Sequence, residues 1–497
     1  MIQVVTNRQI FEYDVHSLFK AFYPGEDVSI IFQACEDPSD DGIFTGFFVA
    51  YHYEGRLEIT VSHYADGLET EKRDTSLSLS QAEDRGLLKN TVKRTVYDLL
   101  HELTGVQLPW GTLTGIRPTK LAMMMRKDGL SDEVVAQKLR STYLMSGQKI
   151  DLSLSIIDRE EQVIKRSHGA RGFSLYIGIP FCPTTCLYCS FTSYPIAAWQ
   201  KKLPAYFDAL NRELAAVSEL FRDRPLDSLY IGGGTPTTLE PVLLKKLMGM
   251  IRDAFDLSSV PEFTVEAGRP DSITAEKLQV LKEEGVNRIS INPQTMNEET
   301  LRLIGRRHTV EQIYESFALA RSLGFDNINT DLILGLPGEG LSAVRHTFTE
   351  IKKLSPDAVT VHAMALKRAA GMAEYLKAHE EIKSENTAEM MAETETAAEA
   401  MGLKPYYLYR QKNIAGNFEN VGYAREGCYG IYNILMMEEV QDIVALGPGT
   451  VTKRVFFNKE TGEITGLIKR CDNVKDVAMY IDRIDEMIER KRLLFNE

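Results

Sequence analysis

Half of the cysteines in this chain lie in one short segment, IPFCPTTCLYCSF, which runs from Ile179 to Phe191. The chain has six cysteines among 497 residues, and Cys182, Cys186 and Cys189 follow one another with the spacing C-x3-C-x2-C. Thiolates are ligands for zinc and for iron–sulfur clusters. The spacing therefore predicts a loop that holds a metal centre.

Four interpretations of this loop compete. A structural zinc site needs four ligands, usually in pairs, and the next histidine along the chain is His308. A disulfide would leave one thiol over, and coincidence fits such tight spacing poorly. A [4Fe–4S] cluster held by three thiolates would keep one iron open to a small molecule with neighbouring amino and carboxylate groups. We favour the cluster.

An aromatic residue, Tyr188, stands before the last of the three cysteines. With it, the pattern resembles the signature of the radical S-adenosylmethionine (SAM) superfamily. The resemblance implies that Cys182, Cys186 and Cys189 hold a [4Fe–4S] cluster and that the methionine part of SAM caps the fourth iron. It also implies that one electron splits SAM into methionine and a 5′-deoxyadenosyl radical, which the protein must aim at its substrate.

Polar residues that could surround a small ligand follow the apolar runs after this loop. A GGGTP run, residues 232–236, comes first, and glycines allow main-chain groups to approach a ligand closely. Glu266, Gln294 and Asp331 come at later runs, and parallel α/β folds build ligand sites where strands end. Arg306 could pair with a carboxylate. Each residue alone could equally serve a structural role, but together they favour one site.

Apolar runs alternate with amphipathic helical patterns from about residue 174 to about residue 364. Glycines after several helical patterns indicate where those helices end. The alternation predicts an α/β fold, a partial (β/α)6 radical SAM barrel over residues 166–370. We expect its six strands near Leu175, Tyr230, Val265, Ile289, Leu332 and Val361.

Longer segments resemble one family within that superfamily, the oxygen-independent coproporphyrinogen III oxidases, and most closely its HemZ (coproporphyrinogen dehydrogenase) branch. These segments include IGGGTPTTL, INPQTMNEETLRLIGRRH, NTDLILGLPGE and, towards the C-terminus, YYLYRQKNIAGNFENVGYAREGCYGIYN and IVALGPGTVTKR. The front segment WGTLTGIRPTKLAMMM carries the likeness to the HemZ branch. By position, the resemblance implies SAM contacts from Tyr176, Tyr188, Gly232, Gly233, Gly234, Thr235, Glu266, Gln294, Arg306 and Asp331.

The resemblance implies a radical oxidoreductase of haem biosynthesis. In that reaction two propionates of coproporphyrinogen III lose CO2 and become vinyl groups, which gives protoporphyrinogen IX. Two positions differ from the decarboxylase pattern: Phe191 stands where a fourth cysteine is expected, and Gly178 where a histidine is expected. The CSF ending is closer to the haem-chaperone branch. A haem-binding protein that does not decarboxylate is therefore the alternative interpretation.

The flanking regions predict an N-terminal α+β domain over residues 1–165 and an α-rich C-terminal extension over residues 371–497. A net charge of −13 argues against binding of bulk nucleic acid. The lack of a visible export signal or membrane span, and the few cysteines, favour a cytoplasmic location. We expect a tetrapyrrole substrate or haem, and an electron donor such as flavodoxin or ferredoxin. Candidate cations for the propionates are Arg117, Arg269, Arg410 and Arg425.

Overall fold

The computed structural model describes residues 1–39, 43–115, 117–365, 371–411 and 418–496. The chain divides into two compact units. The first unit is Met1–Ile157 with Tyr409–Glu419, and the second is Asp158–Leu408 with Asn420–Glu497. Residues 412–417, which belong to one of the segments that carry the family resemblance, lie outside the described residues.

The first unit contains a five-stranded sheet in the order β2-β1-β3-β4-β5. Strand β1 pairs in parallel with β2 and β3, and β3, β4 and β5 form an antiparallel meander. The alternating residues Leu57, Ile59 and Val61 are fully buried, as their period of two predicts. The strands are β1 (Ile2–Thr6), β2 (Val28–Phe32), β3 (Gly46–Tyr53), β4 (Arg56–Ala65) and β5 (Leu68–Ser78).

Helices of the first unit cover the sheet face that carries those residues. The helix predicted from the apolar spacing at Leu88, Val92 and Leu99 is α3, and all three residues are buried. It ends at Gly105, whose φ of 68° suits glycine. The helices are α1 (Glu12–Phe22), α2 (Leu79–Glu83), α3 (Arg85–Thr104), α4 (Thr119–Lys127), α5 (Asp132–Tyr143) and α6 (Gly147–Arg166), which contains the boundary between the units.

The second unit is organised around an eleven-stranded sheet, in the order β14-β15-β13-β12-β11-β10-β9-β6-β16-β17-β18. The six predicted barrel strands are β6 and β9 to β13, which are parallel neighbours in chain order. Their carboxyl ends therefore share one edge. The strands are β6 (Phe173–Ile179), β7 (Phe181–Cys182), β8 (Tyr194–Pro195), β9 (Leu226–Gly233), β10 (Glu262–Gly268), β11 (Arg288–Ile291), β12 (Ile328–Leu334), β13 (Ala358–Ala363), β14 (Lys404–Tyr409), β15 (Asn420–Ala424), β16 (Asp442–Leu446), β17 (Val451–Phe457) and β18 (Ile464–Asp472).

Amphipathic helices connect the parallel strands, and their apolar faces are buried. In α7, Phe207, Leu210, Leu214 and Val217 recur at helical spacing, and each is at most 1% exposed. The helices are α7 (Leu203–Leu220), α8 (Pro241–Ala254), α9 (Ala275–Glu283), α10 (Glu298–Leu303), α11 (Val310–Ser322), α12 (Leu341–Leu354), α13 (Met372–Ala378), α14 (Ala388–Ala400), α15 (Ile431–Glu438), α16 (Val477–Asp482) and α17 (Ile484–Asn496).

The C-terminal region contributes strands to the sheet as well as the predicted helices. Strand β16 pairs in parallel with β6, and a β17–β18 hairpin follows it. The outer strands of the six-stranded parallel array are β6 and β13, and β15 pairs antiparallel with β13. The turn after β16 therefore lies at the same edge as the carboxyl end of β6. Across the described ranges, no helix combines the length and apolar character that a bilayer crossing requires.

Candidate functional site

The three clustered cysteines lie on one loop that follows β6. Cys182 ends β7, and β7 pairs in parallel with β8, so the two short strands close the loop that contains Cys186 and Cys189. The main-chain N–H of Tyr194 donates to the oxygen of Pro180 at 2.8 Å, and that of Cys189 donates to the oxygen of Cys186 at 3.1 Å. We call residues 182–194 the cysteine loop.

Each thiol of the cysteine loop has a polar neighbour. The Sγ atoms of Cys182 and Cys189 lie 3.5 Å and 3.8 Å from the hydroxyls of Thr235 and Ser193. Arg269 Nη1 lies 3.8 Å from the Sγ of Cys186. Such donors favour thiolates.

Burial has the opposite effect on one of these thiols. Cys182 is 9% exposed, and burial raises the pKa of its thiol to about 11, although the hydrogen bond from Thr235 opposes this. A bound cation deprotonates such a thiol outright. The pocket therefore suits a metal-bound thiolate better than a free one.

The donor set of the loop suits an iron–sulfur cluster. All three thiols are free of disulfides. Among the described residues, no three His, Cys, Asp or Glu side chains converge as the ligands of a single metal ion would.

The predicted glycine turn packs directly against the start of the cysteine loop. Gly233 has a φ of 99°, a region that glycine tolerates. The N–H of Gly234 donates to the oxygen of Ile179, and that of Thr235 to the oxygen of Phe181, both at 2.7 Å. A Cβ atom on Gly234 would lie 2.5 Å from the oxygen of Phe181. Only glycine permits this contact.

Glu266 lies beside the glycine turn and against stacked tyrosines. The hydroxyl of Tyr230 donates to Glu266 Oε1 at 2.6 Å. The ring of Tyr176 stacks on those of Tyr230 and Tyr432, at centroid distances of 5.9 Å and 5.8 Å. Burial, with the charge of Asp331, raises the pKa of Glu266 to about 7 even though the Tyr230 hydroxyl opposes the shift.

Gln294 follows the end of β11, and Asp331 lies in the middle of β12. Gln294 is 7% exposed and has a φ of 72°, which is rare for a residue with a side chain. Its N–H donates to the oxygen of Asp331, and its oxygen accepts from the N–H of Ile333. The carboxylate of Asp331 accepts a hydrogen bond of 2.8 Å from Asn329.

Arg306 links the cysteine loop to the end of β11. Its Nη2 donates to the hydroxyl of Tyr188 at 2.9 Å, and its Nη1 donates to the oxygen of Asn292 at 2.6 Å. The side chain is buried, and its Nε has no hydrogen-bond partner within the described part of the chain. Arg306 is therefore buried between the cysteine loop and the end of β11, whereas its neighbour Arg307 is exposed.

All ten residues for which we expect SAM contacts lie in the second unit, either within the parallel strands β6, β9, β10 and β12 or in segments that follow the parallel strands. Electrostatic interactions connect Glu266 to Asp331, and Arg306 to Cys186. The aromatic contact of Tyr432 was not expected, because nothing in its local sequence shows that α15 packs beside β6 and β9.

A small cavity of about 250 Å3 lies beside the site. It is bordered by Tyr176, Gly233, Tyr432, Phe191 and the turn 448–451 after β16. The GPG sequence of that turn was a signal of close main-chain packing. A Cβ atom on Gly447 would lie 2.3 Å from the oxygen of Gly178.

Two of the arginines suggested for substrate carboxylates have other contacts. Arg269 is buried, forms an ion pair of 2.7 Å with Asp271 and donates to Thr184 in the cysteine loop. Arg425 follows β15 and bonds Ser355, next to Asp357. Because β15 is antiparallel to β13, Arg425 lies at the amino ends of the parallel strands, away from the site.

The remaining two candidate arginines belong to the first unit. Arg410 belongs to the first unit, is 5% exposed and donates to the oxygen of Leu113 at 2.6 Å. Arg117 belongs to the same unit. Cys428 lies near Asp357 at the amino ends of the strands, so it is not a fourth thiol of the cysteine loop.

Comparisons with known proteins identify the family of this chain. Residues 176–351 match the Radical SAM superfamily. The chain is 40% identical to the oxygen-independent coproporphyrinogen-III oxidase-like protein HemZ of Bacillus subtilis (strain 168). The alignment spans 440 residues and covers 87% of each of the two chains. It is 40% identical to the heme chaperone HemW of the same organism, over 39% of this chain and 51% of the relative.

Oxygen-independent coproporphyrinogen III oxidases match a similar share of the chain. The oxygen-independent coproporphyrinogen III oxidase of Escherichia coli (strain K12) is 35% identical over 38% of this chain and 41% of the relative. The solved structure of coproporphyrinogen III oxidase (HemN) from Escherichia coli aligns with a TM-score of 0.50 and 24% identity, over 66% of this chain and 72% of that chain. This structural likeness supports the fold.

Proposed function

The chain belongs to the radical SAM superfamily and, within it, to the HemZ-type oxygen-independent coproporphyrinogen III oxidase-like proteins, and from this membership we propose that it converts coproporphyrinogen III to protoporphyrinogen IX. Its cofactors are those of the superfamily, a [4Fe–4S] cluster and SAM. When bound, the cluster supplies the electron that splits SAM into methionine and the 5′-deoxyadenosyl radical.

The extent of the similarity to HemZ carries this proposal. The match covers 87% of both chains, whereas the match to the heme chaperone covers 39% of this chain. The wider match must include sequence on both sides of the radical SAM region. Substrate choice depends on parts of the molecule beyond the shared SAM-cleaving region, so likeness in those parts supports a shared substrate.

We assign the cofactor contacts as follows. Cys182, Cys186 and Cys189 hold the cluster. The glycine turn at Gly232–Gly234, with Thr235, offers main-chain groups to the amino group of SAM. Arg306 has one unpaired N–H, and a guanidinium matches the geometry of the SAM carboxylate. The remaining contacts come from Tyr176, Tyr188, Glu266, Gln294 and Asp331.

The surrounding side chains would orient SAM and keep water away from the radical. The rings of Tyr176, Tyr230 and Tyr432 form a stacked wall beside the glycine turn. Glu266, with a pKa of about 7, is partly protonated near neutral pH and is held by Tyr230. Bound SAM would supply the removal of one hydrogen atom beside a propionate carboxylate, and these side chains would hold the two in place. Loss of CO2 and transfer of one electron to a separate one-electron acceptor would then leave a vinyl group.

An anaerobic assay tests the proposal. Reconstituted, reduced protein is incubated with SAM and coproporphyrinogen III, and 5′-deoxyadenosine, CO2 and tetrapyrrole products are measured. We expect the divinyl product with matching amounts of 5′-deoxyadenosine. In Arg306→Gln, SAM affinity should fall about 10- to 100-fold, since a hydrogen bond to a charged group is lost. Arg222→Gln, at an exposed site before β9, should retain full affinity and is the matched control.

A haem-binding protein is the second candidate. The departure at Phe191, the CSF ending and the 40% identity to a heme chaperone favour it. Stoichiometric binding of haem, with SAM cleavage but without any vinyl product from coproporphyrinogen III, would replace the first proposal with this one. Formation of 5′-deoxyadenosine with neither result would point to a different substrate.

We further propose that the protein works in the cytoplasm with a protein electron donor. All six cysteines are free thiols, which a reducing compartment maintains. The reaction consumes one low-potential electron for each SAM that is split, so a carrier must reach the cysteine loop.

A further inference from the structure

The cysteine loop has a close neighbour, the segment between α10 and α11. The N–H of Leu187 donates to the oxygen of Ile304 at 3.0 Å, and the hydroxyl of Thr184 donates to the oxygen of Gly305 at 3.4 Å. Gly305 has a φ of 80°, and a Cβ atom there would lie 3.9 Å from the Cα of Cys186. The main chain of this segment therefore lies directly against the cysteine loop.

This segment and the cysteine loop together border an open depression of about 660 Å3. Its lining includes two residues of the cysteine loop, two exposed arginines, one buried histidine and one carboxylate; these are Thr184, Thr185, Arg302, Arg307, His308 and Glu298. We call it the basic depression.

The positive charge of the basic depression is not neutralised. Within the described ranges, neither Arg302 nor Arg307 has a carboxylate at ion-pairing distance, and Arg302 makes only a long hydrogen bond to the main-chain oxygen of Glu298. The carboxylate of Glu298 accepts a hydrogen bond from the N–H of Val310 at 2.7 Å. This surface carries two exposed arginines in a chain whose net charge is −13.

Two buried groups lie behind this surface, and the carboxylate of Asp271 interacts with both of them. Arg306 and His308 also line the depression and are 6% and 2% exposed. Arg306 Nε and both ring nitrogens of His308 have no hydrogen-bond partner among the described residues. Burial, together with the charge of Arg306, lowers the pKa of His308 to about 3, so the ring is neutral and the charge comes from the arginines.

We propose that the basic depression is the docking surface for an acidic one-electron carrier protein. The inference rests on the proposed function, because the carrier has a role only if the cysteine loop holds the cluster. In the transfer, the carrier loses one electron and the cluster gains one, and no bond or proton is exchanged. Exposed arginines attract an acidic partner over several ångströms and raise its rate of association.

The position of the depression favours a carrier over the substrate. The glycine turn contacts residues 179–181, whereas the Gly305 segment contacts residues 184–187. SAM and the tetrapyrrole are expected beside the glycine turn. The buried Arg306, whose guanidinium contacts Tyr188 and Asn292, is the one residue assigned to both SAM and the lining of the depression. A protein bound at Arg302 and Arg307 would approach the cysteine loop through Thr184 and Thr185 without occupying the place beside the glycine turn.

A charge-reversal experiment tests this surface. The double variant Arg302→Glu/Arg307→Glu is compared with wild type and with Arg222→Glu, an exposed arginine before β9 at the opposite edge of the sheet. The probe is an acidic flavodoxin. Its affinity for each protein is measured by calorimetry at low and high ionic strength. The rate of cluster reduction is then measured with reduced flavodoxin and, separately, with photoreduced deazaflavin, a small reductant that needs no docking surface.

We expect the double variant to lose about tenfold or more in flavodoxin affinity and in the rate of reduction by flavodoxin at low salt, and to lose most of the salt dependence. Reduction by deazaflavin should be unchanged, and Arg222→Glu should behave as wild type. Wild-type affinity in the double variant, or an equal loss in Arg222→Glu, would overturn the docking surface. A wild-type protein that binds no iron would instead contradict the proposed function, so the two failures are distinct.

Discussion

Glu266 illustrates how the site perturbs a single residue. Its carboxyl group lies beside the glycine turn, receives a hydrogen bond from Tyr230 and has a pKa raised to about 7, chiefly by burial. A Cβ atom on Gly232 would lie 2.8 Å from the Cδ atom of Glu266. The carboxyl group of Glu266 therefore packs directly against the main chain of the glycine turn. Perturbed carboxyl groups of this kind cluster at functional sites.

The raised pKa predicts a pH dependence of stability. In the unfolded chain the carboxyl group titrates near 4.5, and in the folded chain near 7. Between these values the folded protein holds a proton that the unfolded chain has lost, so the free energy of unfolding falls as the pH rises from 4.5 to 7. The fall attributable to this group should be on the order of 2 kcal/mol.

Urea unfolding at pH 5 and pH 8 measures this effect. Glu266→Gln removes the titrating group, so the variant should lose less stability than wild type over that interval. Glu489→Gln, at an exposed position on α17, should retain the wild-type pH dependence. If the free energy of unfolding depends on pH in the same way in wild type and in Glu266→Gln, the raised pKa of Glu266 is contradicted.

Gln294 shows backbone strain at the same edge. A left-handed conformation costs a residue with a side chain roughly 1 kcal/mol or more, and such strain is often retained at ligand sites. Gln294→Gly should therefore be more stable than Gln294→Ala by about 1 kcal/mol, the reverse of the usual order. Both variants should bind SAM more weakly than wild type because the amide is lost.

The control for Gln294 is Asp66→Gly. Asp66 has a φ of 51° in the turn between β4 and β5 of the first unit. This change should relieve strain without weakening SAM binding, as measured by calorimetry. Full SAM affinity in both Gln294 variants would remove Gln294 from the site.

At the scale of elements, a buried carboxylate joins the C-terminal helices to the site. Glu213 of α7 is fully buried and accepts four hydrogen bonds. The donors are the N–H of Gly447, Asn473, Tyr480 of α16 and Lys491 of α17, whose Nζ lies 2.7 Å away. Because Gly447 begins the turn beside the small cavity, this network positions one wall of the site.

The network predicts strong coupling between Glu213 and Lys491. Lys491→Met should destabilise the second unit by about 3 kcal/mol or more, because it leaves a buried carboxylate without its charge partner. Glu213→Gln should destabilise the second unit by a similar amount, because it leaves the buried ammonium group of Lys491 without its charge partner. The double variant should be less destabilised than the two single effects added together, by about 1 to 3 kcal/mol in urea unfolding.

An exposed ion pair between the same two helices provides the comparison. Arg212 and Asp485 have side chains 54% and 81% exposed. Their replacement by Met and Asn should cost less than about 1 kcal/mol. Equal costs for the buried and the exposed pair would contradict the role given to the network.

The sequence predicts the parallel core well because local patterns determine it. Apolar runs at Leu175, Val265 and Leu332 separate amphipathic helices, and each run became a strand. The direction of β15 depends instead on pairing with a distant strand, so local pattern could not show that Arg425 lies at the wrong edge. The same holds for Tyr432, which reaches the site because α15 packs beside β6 and β9.

At the scale of the whole molecule, each site residue is supported by a different part of the second unit. The cysteine loop follows β6, the glycine turn begins in the last residues of β9, and the C-terminal region contributes Tyr432 and the turn after β16. The residue types of the site were readable from the sequence, since thiols, glycines and carboxylates stand out in it. Their hydrogen-bond partners, such as Asn292 for Arg306, were not, because they depend on tertiary packing.

The most direct test of the account is the iron and sulfide content of the anaerobically reconstituted protein, measured with its cleavage of SAM. Wild type and the control Cys428→Ala should hold about four irons and four sulfides per chain and form 5′-deoxyadenosine. Cys186→Ala should lose both the cluster absorbance and SAM cleavage. Stoichiometric zinc in wild type, or SAM cleavage that survives in Cys186→Ala, would contradict the account.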